Sequence, residues 1–167
     1  MKIINITRSF LVLLASLLVL GSAWAAAVPE ASFPEAKVLK NEPLRFGDYE
    51  VYFSAFNSTF IAPEIARVYQ LERGPKYGLV NIAIRNVKDS EVGKAVTAQL
   101  DGQHKNLLQQ SVPLTFQEVK EGSAIYYLAG FRFSNEELLE FSIDVKPEGS
   151  DTSYRVKFRQ KFYQDGK

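Results

Sequence analysis

Residues 45–86 read RFGDYEVYFSAFNSTFIAPEIARVYQLERGPKYGLVNIAIRN, and two alternating runs in this stretch decide the fold class. In the first, Tyr49, Val51, Phe53 and Ala55 share one parity while Asp48, Glu50, Tyr52 and Ser54 share the other. Successive strand side chains point to opposite faces, so this period of two predicts a strand with one face in the core and the other mostly in water. In the second run Val80, Ile82 and Ile84 alternate with Asn81, Ala83 and Arg85, bounded by the turn residues Gly78 and Asn86. Between the runs lies Asn57-Ser58-Thr59-Phe60-Ile61-Ala62-Pro63-Glu64. Its short polar side chains can bond nearby backbone, and Pro63 suits the first turn of a helix continuing through Ile65 and Val68. A short strand from Ile65 to Tyr69 is the alternative.

Phe60 and Ile61 are anomalous in that loop, because each large apolar side chain left in water forgoes roughly 1.5–3 kcal/mol of burial. Either the pair folds back and plugs the end of the core, or a partner covers it. In the second case Asn57, Ser58, Thr59, Phe60 and Ile61, with Glu64 and Arg67 beside them, form a contact surface.

The succession YEVYFSAFNSTF, PEIARVY and GLVNIAI resembles a domain-of-unknown-function family of small exported proteins from Gram-negative bacteria. The resemblance is close over about a quarter of the chain. It implies an immunoglobulin-like β-sandwich in the periplasm and brings no catalytic residue, cofactor or ligand with it.

The first 25 residues have the parts of a cleavable secretory signal: Lys2 and Arg8, an apolar run from Phe10 to Leu20, and Ala23-Trp24-Ala25 as a small-x-small cleavage site. The run's 11 residues fall short of the roughly 20 that span a bilayer, so no stable membrane insertion is expected after cleavage. Removing 25 of 167 residues leaves 142, the size of one domain. It also leaves 18 basic against 19 acidic residues, which argues against a nucleic-acid binder. With no cysteine, an exported domain must hold together by core packing. Residues 26–42, rich in Ala, Pro and Glu, read as a tether or a short edge strand at Val38 and Leu39, and residues 43–164 as a single sandwich domain.

Further strands are expected from Lys94 to Leu100, with Asp101-Gly102 as a hairpin turn and a return over Leu107 to Ser111. An amphipathic strand follows over Leu114 to Val119, and SAIYYLAGFRF, apolar at both parities, reads as an interior strand covered on both sides. Ser134-Asn135-Glu136-Glu137 has capping-box spacing for at most one helical turn. Phe141, Ile143 and Val145, then Tyr154, Val156, Phe158 and Phe162, form the inward faces of the last two strands. About eight short strands predict an all-β, antiparallel immunoglobulin-like sandwich, with a small β-barrel as the alternative.

Chemistry-bearing motifs are scarce. His104, the one histidine, falls just past the expected Asp101-Gly102 turn and reads as a solvated loop residue, neither catalytic nor a metal ligand. Asp48 with Glu50, and Glu136 with Glu137, are carboxylate pairs that read as wet surface. Arg155, Lys157, Arg159 and Lys161 line one side of the final strand, as edge protection or as a surface for an anionic partner. The expected function is therefore a non-enzymatic periplasmic binding or accessory role toward an envelope protein or polymer, through the loop or the cation row and without a cofactor. A carrier of a small apolar ligand between the sheets is the alternative, and an envelope hydrolase the last.

Overall fold

The computed structural model describes residues 42–166. The signal at 1–25, the tether at 26–42 up to its last residue, and the candidate edge strand at Val38 and Leu39 lie outside the described residues. Among the described residues ten strands are formed: β1 (Leu44–Phe46), β2 (Tyr49–Asn57), β3 (Tyr77–Asn86), β4 (Lys94–Ala95), β5 (Ala98–Lys105), β6 (Ser111–Leu114), β7 (Gln117–Glu121), β8 (Ala124–Arg132), β9 (Glu137–Pro147) and β10 (Tyr154–Phe162). Between β2 and β3 come a 3-10 turn at Ser58–Phe60 and one helix, α1 (Pro63–Val68), as Pro63 predicts and in place of the alternative strand.

The strands form two antiparallel sheets. One has the order β1-β2-β3-β8-β7 with β4 also paired to β3, and the other the order β10-β9-β5-β6. The sheets pack as a sandwich and do not close, so the barrel alternative falls away. The parity of β2 and β3 holds: Val51, Val80, Ile82 and Ile84 are fully buried, as are Phe141, Ile143 and Val145 on β9 and Val156 on β10. Phe141 stacks on Phe158 at 4.7 Å and meets Phe131 edge-on at 5.1 Å, so aromatic side chains from both sheets fill the core.

Two expected strands turn out to straddle a change of sheet. Lys94 to Leu100 breaks at Val96-Thr97: β4 joins β3 in the first sheet and β5 joins β9 in the second. Leu114 to Val119 breaks at Thr115-Phe116, where the chain returns from β6 to β7. Parity specifies a buried side but not which sheet supplies the partner.

Asp101-Gly102 is no hairpin turn. Both residues lie inside β5, Gly102 opposite Ile143 on one side and Leu114 on the other. A Cβ there would stand 3.0 Å from Ile143 Cγ1 and 3.2 Å from the Ser142 carbonyl, so the glycine serves close packing. The turn comes four residues later, at Asn106, whose Oδ1 accepts the N–H groups of Leu108 and Gln110, each at 3.0 Å. Gln109 takes the left-handed conformation at φ 62°, and Leu107 and Leu108 stand out in solvent instead of opening a return strand.

The interior strand SAIYYLAGFRF is β8, buried on both faces at Tyr127, Leu128 and Ala129 but not at Gly130 or Arg132. Half of the capping box forms: Ser134 N–H donates to Glu137 Oε2 at 2.6 Å, in a turn leading straight into β9.

Tyr127 ties the sheets where the chain crosses. Its hydroxyl accepts the Ala98 N–H and donates to Glu118 Oε2, each at 2.7 Å. Burial, with the Glu118 carboxylate adding to it, pushes the phenol up to about 12, so it stays protonated as a donor. Tyr127→Phe removes both bonds and strands the Ala98 N–H; it is expected to lower unfolding free energy by about 1–3 kcal/mol, read from the urea midpoint at unchanged slope.

Candidate functional site

The loop at 57–61 is braced from two directions. Asn57 Nδ2 donates to the Tyr163 carbonyl at 2.8 Å and to Asp165 Oδ1 at 3.0 Å, and Thr59 Oγ1 donates to the other Asp165 oxygen. Ser58 is buried, its hydroxyl accepting the Gly74 N–H at 3.0 Å and lying 3.3 Å from the Gly74 carbonyl. Arg73 donates from Nε to the Ile61 carbonyl at 2.8 Å and from Nη2 to the Thr59 carbonyl at 3.1 Å.

That bracing separates the apolar pair. Ile61, 2% exposed, joins Ile65, Ala66 and Leu79 in a small second core beside Phe56, Tyr69 and Leu71, whereas Phe60 is 66% exposed. Glu64, Arg67 and Val68 are also exposed on α1. Asn57, Ser58 and Thr59 thus use polar atoms to shape the loop, and Phe60, Glu64 and Arg67 are what it presents.

The cations of β10 are laced to β9 by register. Arg155 lies opposite Asp144 and grips it with two bonds, at 2.7 and 2.9 Å, which holds that carboxyl below the usual carboxylate range. Arg159 lies opposite Glu140 and bonds it at 2.6 Å, and Lys161 reaches Glu136 at 3.2 Å. Lys157 faces Ser142 and makes no ion pair among the described residues. The row is largely neutralised, with a hollow of about 200 Å³ around Ser142, Gln103 and Lys157.

His104 corrects the solvated-loop expectation most sharply. It lies in β5 opposite Phe141 and Val112, only 5% exposed, its ring 5.6 Å from that of Phe131 and 5.9 Å from that of Phe141. Nδ1 is buried with no hydrogen-bond partner among the described residues. Burial lowers the imidazole's proton affinity, and the nearby Glu137 carboxylate partly opposes it. His104 also lines a cleft of about 260 Å³ with Gln110, Arg132, Ser134 and Glu137, walled by apolar Val112, Phe133 and Leu139.

His104, Ser134 and Glu137, read from sequence as a solvated loop residue and as capping-box or wet-surface groups, line that cleft, whereas none of the residues proposed from sequence as binding residues does. One signal did point there: carrying the parity of Val96, Ala98 and Leu100 through Gly102 puts His104 on the core side. Arg73 left no local sign, because the carbonyls it holds lie 12 and 14 residues away. No group of three or more His, Cys, Asp or Glu side chains able to hold a metal ion occurs among the described residues.

The family model described as Domain of unknown function (DUF4426) matches residues 44–165. The chain belongs to the DUF4426 family. A crystal structure of a DUF4426 family protein from Pseudomonas aeruginosa PAO1 is 32% identical, with a TM-score of 0.65 over 77% of this chain and 99% of that one. FetP of uropathogenic Escherichia coli strain F11, recombinantly expressed in the periplasm of E. coli BL21(DE3), shares the fold at 12% identity and a TM-score of 0.52, over 74% of this chain and 93% of FetP. A copper-bound FetP variant superposes with a TM-score of 0.55 at 13% identity, over 74% and 95% of the respective chains. No curated protein matches the chain.

In this DUF4426 domain the buried imidazole makes stability depend on pH with a definite sign. The folded state lowers the proton affinity of His104, so its contribution is complete above the ordinary histidine value near 6.5 and is lost as pH falls through the folded value. Urea midpoints are expected to drop on acidification below about pH 6.5. His104→Phe, which keeps an aromatic ring against Phe131 and Phe141, should remove that part of the drop.

Proposed function

We propose that this DUF4426 protein is an exported, non-enzymatic binding or accessory domain of the periplasm, engaging an envelope protein or polymer through the loop at Phe60. The observation that carries the reading is an aromatic side chain 66% exposed at the apex of a loop braced by Arg73, Asn57 and Thr59. A ring held out in advance loses little conformational freedom on binding, and aromatic anchors dominate the energetics of many interfaces. Glu64 and Arg67 on the adjoining α1 would supply the polar rim.

Export is supported by the basic start, short apolar run and Ala23-Trp24-Ala25 at the N-terminus, and is consistent with the recombinant periplasmic expression of the structurally similar FetP. The cation row is the weaker contact surface, since three of its four members already hold carboxylates.

A photo-crosslinking residue placed at Phe60 in living cells should give a discrete adduct, with little from the same probe at Tyr52 on the outer face of β2. Arg73→Ala, which releases the Ile61 and Thr59 carbonyls, should reduce the Phe60 adduct several-fold while leaving the fold intact. Equal labelling from both positions, or none from Phe60, would refute the assignment.

A further inference from the structure

The cleft beside His104 carries an inference that goes beyond the Phe60 surface. Arg132 ends β8 and Glu137 begins β9, so the turn joining them brings a basic and an acidic residue to the lining of the same hollow. Opposite charges so placed ordinarily pair, yet among the described residues neither makes an ion pair. Arg132 stands with Cζ 6.0 Å from the Tyr77 ring centroid. Glu137 receives one bond, from the Ser134 N–H to Oε2.

The rest of the lining is built in the same sense. Gln110 Oε1 accepts from Asn106 Nδ2 at 2.7 Å, which turns the Gln110 amide by an internal bond and leaves its NH₂ as the group to offer. His104 is nine-tenths buried, with Nδ1 unanswered by any described residue, and buried polar atoms without partners are rare enough in folded proteins to need a reason. Val112, Phe133 and Leu139 provide apolar wall for a short aliphatic part.

We infer that this cleft binds a small zwitterion of the size and chemistry of a free amino acid, its carboxylate answered by Arg132 and its ammonium by Glu137. A ligand with one charge would desolvate the opposite member of the pair without answering it, which costs free energy. A neutral ligand would do so twice. The volume of about 260 Å³ has room for a molecule of that size.

The single histidine makes the test clean, since its imidazole protons give the only histidine signals in a proton NMR spectrum. Protein as recovered from the expressing cells is titrated with each of the common free L-amino acids other than histidine, up to about 10 mM or its solubility, which reveals dissociation constants in the millimolar range and tighter. At least one is expected to shift the His104 signals saturably. Its N-acetyl and carboxamide forms, each lacking one charge, should bind about tenfold more weakly or worse, the loss expected for a charge-assisted hydrogen bond. In Arg132→Gln the preference for the free carboxylate over the carboxamide should vanish, and in Glu137→Gln the preference for the free amine over its acetylated form. No saturable shift from any amino acid, or a ligand whose affinity stays within about twofold when either charge is blocked, overturns the assignment. Both of those outcomes are read on the unmutated protein, so they do not depend on how the variants fold.

Discussion

The ring of Phe141 is where the two sheets become one body. It stacks on Phe158 from β10, meets Phe131 from β8 edge-on, and approaches Phe162 and His104, so one β9 side chain touches three other strands. Each such ring contributes roughly 1.5–3 kcal/mol by burial, with about 0.5–1.5 kcal/mol more for a well-oriented aromatic pair. Without cysteine, nothing covalent backs this contact. The remaining strands keep that cluster dry, and the three changes of sheet, at Val96-Thr97, at Thr115-Phe116 and in the turn from β8 to β9, make the chain wrap it from both sides.

That dependence explains which parts of the fold could be read from the sequence. Val51, Ile82, Ile143 and Val156 sit at alternate positions because each strand has one face against the cluster, so parity located β2, β3, β9 and β10 well. Pro63 located α1 through its own backbone restriction. Parity was silent on hydrogen-bonded partners, so the two strands that change sheets looked continuous. The Asp101-Gly102 signature misled for a different reason: Gly102 was selected by the nearness of Ile143 and the Ser142 carbonyl, a tertiary constraint with no local trace. His104 was misplaced with it.

The candidate sites show the same division. Phe60 and Ile61 look equivalent as adjacent apolar residues, and what separates them is tertiary: the loop is held by Arg73 and by the Tyr163–Asp165 segment, with Ile61 turned in and Phe60 out. The alternation of Arg155, Lys157, Arg159 and Lys161 was plain, yet its meaning rested on Asp144, Glu140 and Glu136, which lie 11 to 25 residues away. These pairs are solvent-exposed and add little to stability, so their main effect is on which neighbours the edge of β10 will accept.

The clasp of Asn57 and Thr59 on Tyr163 and Asp165 makes the segment after β10 part of the loop's mechanics. A recombinant tail fused behind Asp165 would therefore begin beside the support of Phe60 and away from the core of either sheet. An affinity handle inserted between Leu107 and Leu108, at the solvent-facing tip of the β5–β6 hairpin, would leave that clasp slack and intact.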